Sequence, residues 1–495
     1  MADFWSNPPA GSSGLDLHLA LGVPRPGRGL EDALRDAVTG GRLAPGTRLP
    51  STRALAADLG VARGTVAAVY AQLAAEGWLD SRVGAGTWVA SRTTAAPAVA
   101  APAPAEPDLL DLRPGIPDAS AFPRAAWAAS ARRAVADAAT AHLGYGDPLG
   151  DAELRRALAA YLARVRGVRT DAGAVVVTHG FGELLALVCR ALAARGARRV
   201  AVERYGHAAH REVVAAAGLD VVPVPVDGDG LDVVALAALP GIDAVLVTAA
   251  HQFPTGVALA PPRRRDLVAW AAATGALVLE DDYDGEFRYD RRAVGALQAL
   301  APDRVVYAGT ASKALAPGVG LAWGAVPPAL VPDLAHQRRL SGVRPDRLGQ
   351  LTLARFLDDH SYDRTVRSRR GVYRARRRRL QEVVDTRLPG CRLVGMDAGL
   401  HGLLALPDGV QERAVVRAAA ARGLRLAGLG ELDATQVADP APEAGPQHVV
   451  VGFGAPAGHR YEAALAALVG AVSDAVSGAG GGAAPPGAPA RGPRR

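Results

Sequence analysis

Apolar positions along the chain change their spacing once, near residue 109. Before that point the spacing is helical. Val66, Val69, Tyr70 and Leu73 fall at i, i+3, i+4, i+7 and predict one face of a helix over Arg63–Glu76. Leu30–Val38, closed by Gly40-Gly41, predicts an earlier helix. Pro50-Ser51 opens another that ends at Gly60, with Ser51 as its N-cap. Two short strands are expected near Trp78–Arg82 and Thr87–Val89, joined by Gly84-Ala85-Gly86. Beyond residue 109, short apolar runs alternate with amphipathic stretches. Val175–Thr178, Val200–Glu203, Ala244–Thr248, Leu277–Glu280 and Val305–Ala308 predict buried strands, and Glu183–Arg195 and Arg263–Thr274 predict helices between them. That alternation predicts an α/β domain of parallel strands with crossover helices. Polar residues gather just past these runs, at the carboxyl ends of the strands, where open α/β sheets bind ligands.

Composition divides the chain further. Residues 93–107 (TTAAPAVAAPAPAEP) are Ala/Pro-rich and predict a semi-rigid linker. Residues 477–495, rich in Gly, Ala, Pro and Arg, predict a disordered tail. The resulting plan is a small domain at 28–91, a linker at 92–108, a large α/β domain at 109–476 and the tail. Two folded units are what 495 residues lead one to expect. No run is read as long enough to span a bilayer, and the first residues lack a basic region followed by an apolar one. The two cysteines, Cys189 and Cys391, exclude a disulfide framework and a cysteine-built metal site; a cytoplasmic location is expected.

The net charge of +7 is modest for this length, but its make-up is unusual. Lys313 is the single lysine among 56 basic residues. An arginine cannot form an imine with an aldehyde, whereas a lysine amine can. Lys313 lies in YAGTASKALAPG, directly behind an apolar run and beside the hydroxyls of Thr310 and Ser312; a surface lysine is the competing reading. A second constellation is LVLEDDYDGEF, residues 277–287. Consecutive acids at a strand end are costly unless they meet a cation. That cation is either a protonated pyridinium nitrogen, paired with a carboxylate, or a divalent metal held by Glu280, Asp281, Asp282 and Asp284. HQFPTG (251–256) predicts a tight turn after another strand, and Gly180-Phe181-Gly182 sits at a strand-to-helix junction whose amides suit a phosphate.

In the small domain, four arginines face one acid, Asp58, between Arg42 and Arg63. Helix, helix-turn-helix and hairpin form the winged-helix plan, whose third helix enters the DNA major groove. Arg63 and Thr65, at the start of that helix, are placed to meet base edges. Arg53 is placed to meet phosphate, and Arg82 and Gly84 of the wing to meet the backbone or minor groove. The alternative is a solvated basic face on a structural domain. The arginine-rich stretch 367–380 (RSRRGVYRARRRRL), with Val372 and Leu380 as sparse apolar positions, is read as a solvated or interface helix.

The run GGRLAPGTRLPSTRALAADLGVARGTVAAVYAQLAAEGWLDSRVGAGTWVA resembles the GntR-type winged helix over nearly its whole length. That resemblance implies DNA contacts from Arg53, Arg63 and Thr65, with Gly64 standing where many members carry Asn or Thr. The later motifs, in their order, resemble the fold-type I pyridoxal-phosphate aminotransferases. The whole chain resembles the MocR subfamily of regulators, including GYGDPLGDAELRRALAAYLARVRG (144–167), found near the cofactor and subunit interface in that family. The resemblance implies pyridoxal 5′-phosphate held by Lys313 as an internal aldimine, with Asp281 on the pyridine nitrogen and Tyr283 on the phenolic oxygen. Thr310, Ser312 and the amides around Phe181 and Gly182 would hold the phosphate, and His207 would stack on the ring. No metal is implied.

Departures from the family are specific. Gly182-Glu183 replaces Gln-Gln, His207 replaces tyrosine, and Gly320 replaces the arginine seven residues beyond the lysine. No carboxylate-binding arginine adjoins VVVGFG (449–454), leaving Arg204 or Arg425 as substitutes. The expected function is a homodimeric regulator of double-stranded DNA that senses an amine or amino acid. The alternatives are an active aminotransferase with a fused DNA-binding domain and a regulator that has lost its cofactor.

Overall fold

The computed structural model describes residues 26–82, 85–91, 109–289, 294–435 and 447–480. Gly84, the linker 92–108 and residues 481–495 lie outside them. The chain forms two compact units, Met1–Glu106 and Pro107–Arg495.

The small unit has three helices, α1 (Pro26–Thr39), α2 (Thr52–Leu59) and α3 (Arg63–Ala75), followed by β1 (Leu79–Arg82) and β2 (Gly86–Val89), which pair antiparallel. Ser51 caps α2 by accepting the Ala54 amide at 3.1 Å, and Gly60 closes it in the left-handed conformation. Val66, Val69, Tyr70 and Leu73 are all buried, packing on Leu30, Leu34, Leu55 and Val89. The Tyr70 hydroxyl donates to the Pro50 carbonyl at 3.0 Å, fixing α3 against the start of α2. Arg48 ties the preceding loop to the wing, donating to the Ala85 carbonyl at 2.8 Å with its guanidinium over the Trp88 ring.

The large unit is built on a seven-stranded sheet: β3 (Val175–Thr178), β4 (Arg199–Glu203), β5 (Asp220–Val224), β6 (Ala244–Val247), β7 (Leu277–Asp281), β8 (Val305–Thr310) and β9 (Ala322–Ala325), in the order β3-β9-β8-β7-β6-β4-β5. Strand pairs within β8-β7-β6-β4-β5 are parallel, while β9 runs antiparallel to both neighbours. Residues 311–321 are too few for a crossover helix, so the chain after β8 returns in the opposite direction. That short return carries Lys313. Helices Phe181–Ala194 and Pro261–Thr274 pack into apolar clusters on the sheet. A four-stranded antiparallel sheet, including His401–Ala405 and His448–Gly452, forms a second layer nearer the C-terminus.

Two expectations are corrected here. The stretch Gly458–Ala479 is long and apolar enough by composition to cross a membrane. Its alanines hide that length from a search for large apolar residues. In the fold, Leu465, Leu468 and Val472 of the helix Tyr461–Gly480 are core residues, so one face of this helix packs against the unit's core. The helix Ser361–Arg387, read as a solvated or interface element, instead buries Tyr373, Leu380 and Val384, with Val372 on the outside. Arg369, Arg376 and Arg377 lie on its buried side. Arg369 donates to the Asp118 carbonyl at 2.7 Å and Arg376 to the Gly454 carbonyl at 2.9 Å. Each guanidinium carries five donors, enough to satisfy loop carbonyls that no apolar side chain could meet.

Candidate functional site

The carboxyl ends of the parallel strands open into a cavity of about 260 Å³. Its wall contains Lys313, Asp281, Tyr283, Thr310, Ser312, Phe181, Gly182 and His207, with Phe253 of the HQFPTG motif and residues not singled out from sequence: Glu203, Thr248, His210 and Arg211. Asp281 ends β7 and Thr310 ends β8, so two neighbouring strands deliver the carboxyl and hydroxyl groups side by side. Phe181 is the first residue of its helix, with Gly180 as N-cap, which turns unpaired helix amides toward the cavity. Ser312 and Thr310 are held together by a 3.0 Å hydrogen bond between hydroxyls.

The run of acids separates completely. Glu280 accepts the amides of Leu297 and Gln298 at 2.7 and 3.0 Å. Asp282 is paired with the buried Arg166 (Nε to Oδ2, 2.7 Å) and accepts from the Tyr307 hydroxyl. Asp284 meets His251 Nδ1 at 2.8 Å. Asp281 alone lines the cavity, where burial pushes its carboxyl up to about 8 against the opposing pull of Lys313. The four carboxylates therefore do not converge on one cation. Burial also lowers the Lys313 amine, opposed by Asp281 and Asp284. Neither Asp281 nor Lys313 makes a hydrogen bond or close ion pair with another described residue.

His207 lies parallel to Phe253, with ring centroids 5.7 Å apart and 16° between planes. Burial, then the charges of Lys313 and Arg211, hold His207 below its ordinary range. The same influences, with His207 added, press His210 down to about 3. The two imidazoles are neutral and offer faces rather than charge. Glu203 is buried, receives the Thr248 hydroxyl at 2.6 Å, and is pushed up to about 7 by burial.

In the small unit, Arg53 on α2, Arg63 at the start of α3 and Arg82 at the end of β1 are exposed, with no ion-pair partner among the described residues. Thr65 is half-buried one turn into α3. Gly84 lies outside the described residues.

Comparison with known proteins now gives the family. Residues 26–89 match the bacterial regulatory proteins of the gntR family, and residues 107–414 match aminotransferase class I and II. The chain is 34% identical over 423 residues to the HTH-type pyridoxine biosynthesis transcriptional regulator PdxR of Corynebacterium glutamicum, covering 84% of this chain and 91% of that one. It is 31% identical over 425 residues to the probable rhizopine catabolism regulatory protein MocR of Rhizobium meliloti, covering 81% and 86%. The chain belongs to the MocR-type transcriptional regulators. The large unit has the fold of a kynurenine aminotransferase from Pyrococcus horikoshii (TM-score 0.66, 22% identity, 74% of this chain and 92% of that one).

Like its family, this MocR-type regulator takes pyridoxal 5′-phosphate as cofactor. The cavity fits that group: a buried carboxyl and a half-buried amine whose side chains have no hydrogen-bond partner among the described residues, flanking aromatic faces and a helix N-terminus. When bound, the cofactor supplies an electrophilic aldehyde carbon and an electron-withdrawing ring. Gly320 closes the short turn Pro317–Val319 at φ 60°, a conformation that disfavours the family's arginine. The substitutes considered from sequence do not reach the cavity wall. Arg204 is engaged by Asp433 at 2.7 Å, and Arg425 belongs to a strand paired with Leu110–Asp111. Arg211 and Lys313 are the arginine and the lysine in the wall. Arg211 went unmarked because a single arginine among 55 carries no pattern.

Proposed function

We propose that this regulator senses a small amine or amino acid at the Lys313 amine, and that the sensing event changes how its winged helices engage DNA. One observation carries the reading. Residues from four separate motifs, spread from Phe181 to Lys313, line a single cavity at the strand ends, and its one lysine is the chain's one lysine. In the proposal, Lys313 attaches to the aldehyde carbon, Asp281 pairs with the pyridine nitrogen and Tyr283 holds the phenolic oxygen. His207 packs on the ring, while Thr310, Ser312 and the Phe181–Gly182 amides hold the phosphate. An amine effector competes with Lys313 for the same carbon. A response follows only when the effector binds the two arrangements of the protein with different affinity.

The protein works as a cytoplasmic homodimer in this reading, with two winged helices on paired half-sites of double-stranded DNA. Exposed apolar residues support a subunit interface: Leu143 just before the 144–167 segment and Tyr145 within it, with Leu340 and Val343 leading to Arg344, whose guanidinium lies over the Tyr145 ring. In the small unit, Arg63 and Thr65 read bases, while Arg53, Arg82 and the wing tip at Gly84 meet the backbone. The deciding experiment adds pyridoxal 5′-phosphate to the natural protein and to Lys313→Ala. A visible absorption band in the first and none in the second is expected. A colourless natural protein, unlabelled at Lys313 after borohydride trapping, would refute sensing through this amine.

A further inference from the structure

Beside the cavity, three buried ligating side chains meet that the cofactor reading does not use. His251 comes from the turn after β6, Asp284 from the segment after β7, and His401 from the start of a strand in the smaller sheet. Their exposures are 3%, 3% and 1%. One ligand atom from each lies within 4.8 Å of one from each of the others. His251 Nδ1 is 2.8 Å from Asp284 Oδ2 and 3.2 Å from the Tyr283 hydroxyl. The His251 Nε2 has no hydrogen-bond partner among the described residues, and for the His401 ring the one neighbouring acceptor is the Pro254 backbone.

Buried polar atoms without partners are rare in folded proteins, and two buried imidazoles beside one carboxylate, with the His251 Nε2 unpartnered, call for an explanation. Packing alone does not supply it, since a phenylalanine would fill the place of His401 against Phe253 and Tyr283 without burying further polar nitrogens. Gly399 lets the backbone approach the His251–Asp284 pair, where a Cβ would collide with both the imidazole ring and the carboxylate. Arg377, whose charge reaches His401, pairs with Asp397 at 3.1 Å and donates to the Gly395 carbonyl.

We propose that His251, Asp284 and His401 form a binding site for one divalent transition-metal ion of the zinc class. Two imidazoles and a carboxylate suit zinc and cobalt, whereas calcium and magnesium prefer oxygen ligands throughout. The site is separate from the dispersed acids of residues 280–282. It abuts Tyr283, so a bound ion places a positive charge behind a side chain of the effector cavity. The proposal does not depend on cofactor binding.

The test uses the untagged full chain, stripped with chelator and free of pyridoxal phosphate. It is titrated with Co²⁺, whose visible d–d bands report coordination, and then with Zn²⁺ as competitor. Saturation at one Co²⁺ per chain with a strong visible band, abolished by Zn²⁺, is expected. His401→Phe keeps the ring packing and removes the ligand; it should lose the band and weaken binding by about tenfold or more. Asp284→Asn provides a second variant with the same expectation. Absence of the band in the natural chain, or bands of equal strength in the natural chain and a folded variant, overturns the site. Because the readout contains no cofactor, this result and that of the Lys313 experiment are independent.

Discussion

At the scale of single residues, Gly320 stands where the resemblance places an arginine that contacts the cofactor phosphate or a bound carboxylate. In the proposed arrangement Lys313 takes the aldehyde carbon, so Arg211 is the cation in the cavity wall left for the phosphate. Its Nη1 donates to the Gly206 carbonyl at 2.9 Å, which anchors the guanidinium while leaving donors to spare. A charge-assisted hydrogen bond contributes about 1.5–3 kcal/mol, or roughly 10- to 150-fold in affinity. Arg211→Ala is therefore expected to weaken pyridoxal 5′-phosphate binding by that factor in an equilibrium titration. Pyridoxal, which lacks the phosphate, should bind the variant as it binds the natural chain. Equal losses for both compounds would exclude Arg211 from the phosphate site.

Elements decide how neighbouring residues acquire opposite fates, as Asp281 and Asp282 illustrate. Asp282→Ala strands the buried Arg166, at a cost of about 3–5 kcal/mol, which calorimetry of the large unit should register as a strongly lowered Tm. Asp281→Ala removes a buried carboxyl with no hydrogen bond and should leave the cofactor-free Tm unlowered while impairing cofactor binding. In the winged helix the same logic separates base contacts from phosphate contacts. Arg63→Ala should relax sequence preference, whereas Arg53→Ala should weaken all DNA sequences alike and reduce the salt dependence, both readable by mobility shift across salt. Loss of selectivity in neither variant would place base reading elsewhere. Long apolar strands and the capped helices were legible because burial and backbone satisfaction dictate their patterns. The strand Ala322–Ala325 was not: small residues fit where Gly324 approaches Leu184, and they carry no period-two signal. The inward arginines of Ser361–Arg387 defeat a polar-outside rule. Lys313, Asp281 and Tyr283 were readable because their motifs are contiguous, whereas Glu203, His210 and Arg211 become site residues only through the fold.

For the molecule as a whole, the buried titratable groups set a pH window for stability. Burial presses His210 and His401 down to about 3, so between there and the ordinary histidine range the unfolded chain holds protons that the folded one refuses. Folding gains stability as pH rises through that interval. Glu203 and Glu286, raised to about 7, and Asp281, raised to about 8, act in the opposite direction. From the ordinary carboxylate range upward, the folded chain keeps protons that the unfolded one has shed, so their contribution declines as pH rises toward those values. Below about pH 6.5 the two sets oppose one another. Above it the histidines are neutral in both states, and the three raised carboxyls outweigh the one lowered amine, Lys313. The cofactor-free large unit should thus lose Tm between about pH 6.5 and 8. Asp281→Asn should flatten the upper part of that decline, and pyridoxal 5′-phosphate should flatten it too, because a pyridinium nitrogen stabilises the ionised Asp281 carboxylate. Calorimetry across this range checks the sign directly. A Tm that rises from pH 6.5 to 8 without cofactor would mean that these carboxyls are ionised in the folded protein, and the cation-seeking character assigned to Asp281 would be lost with them.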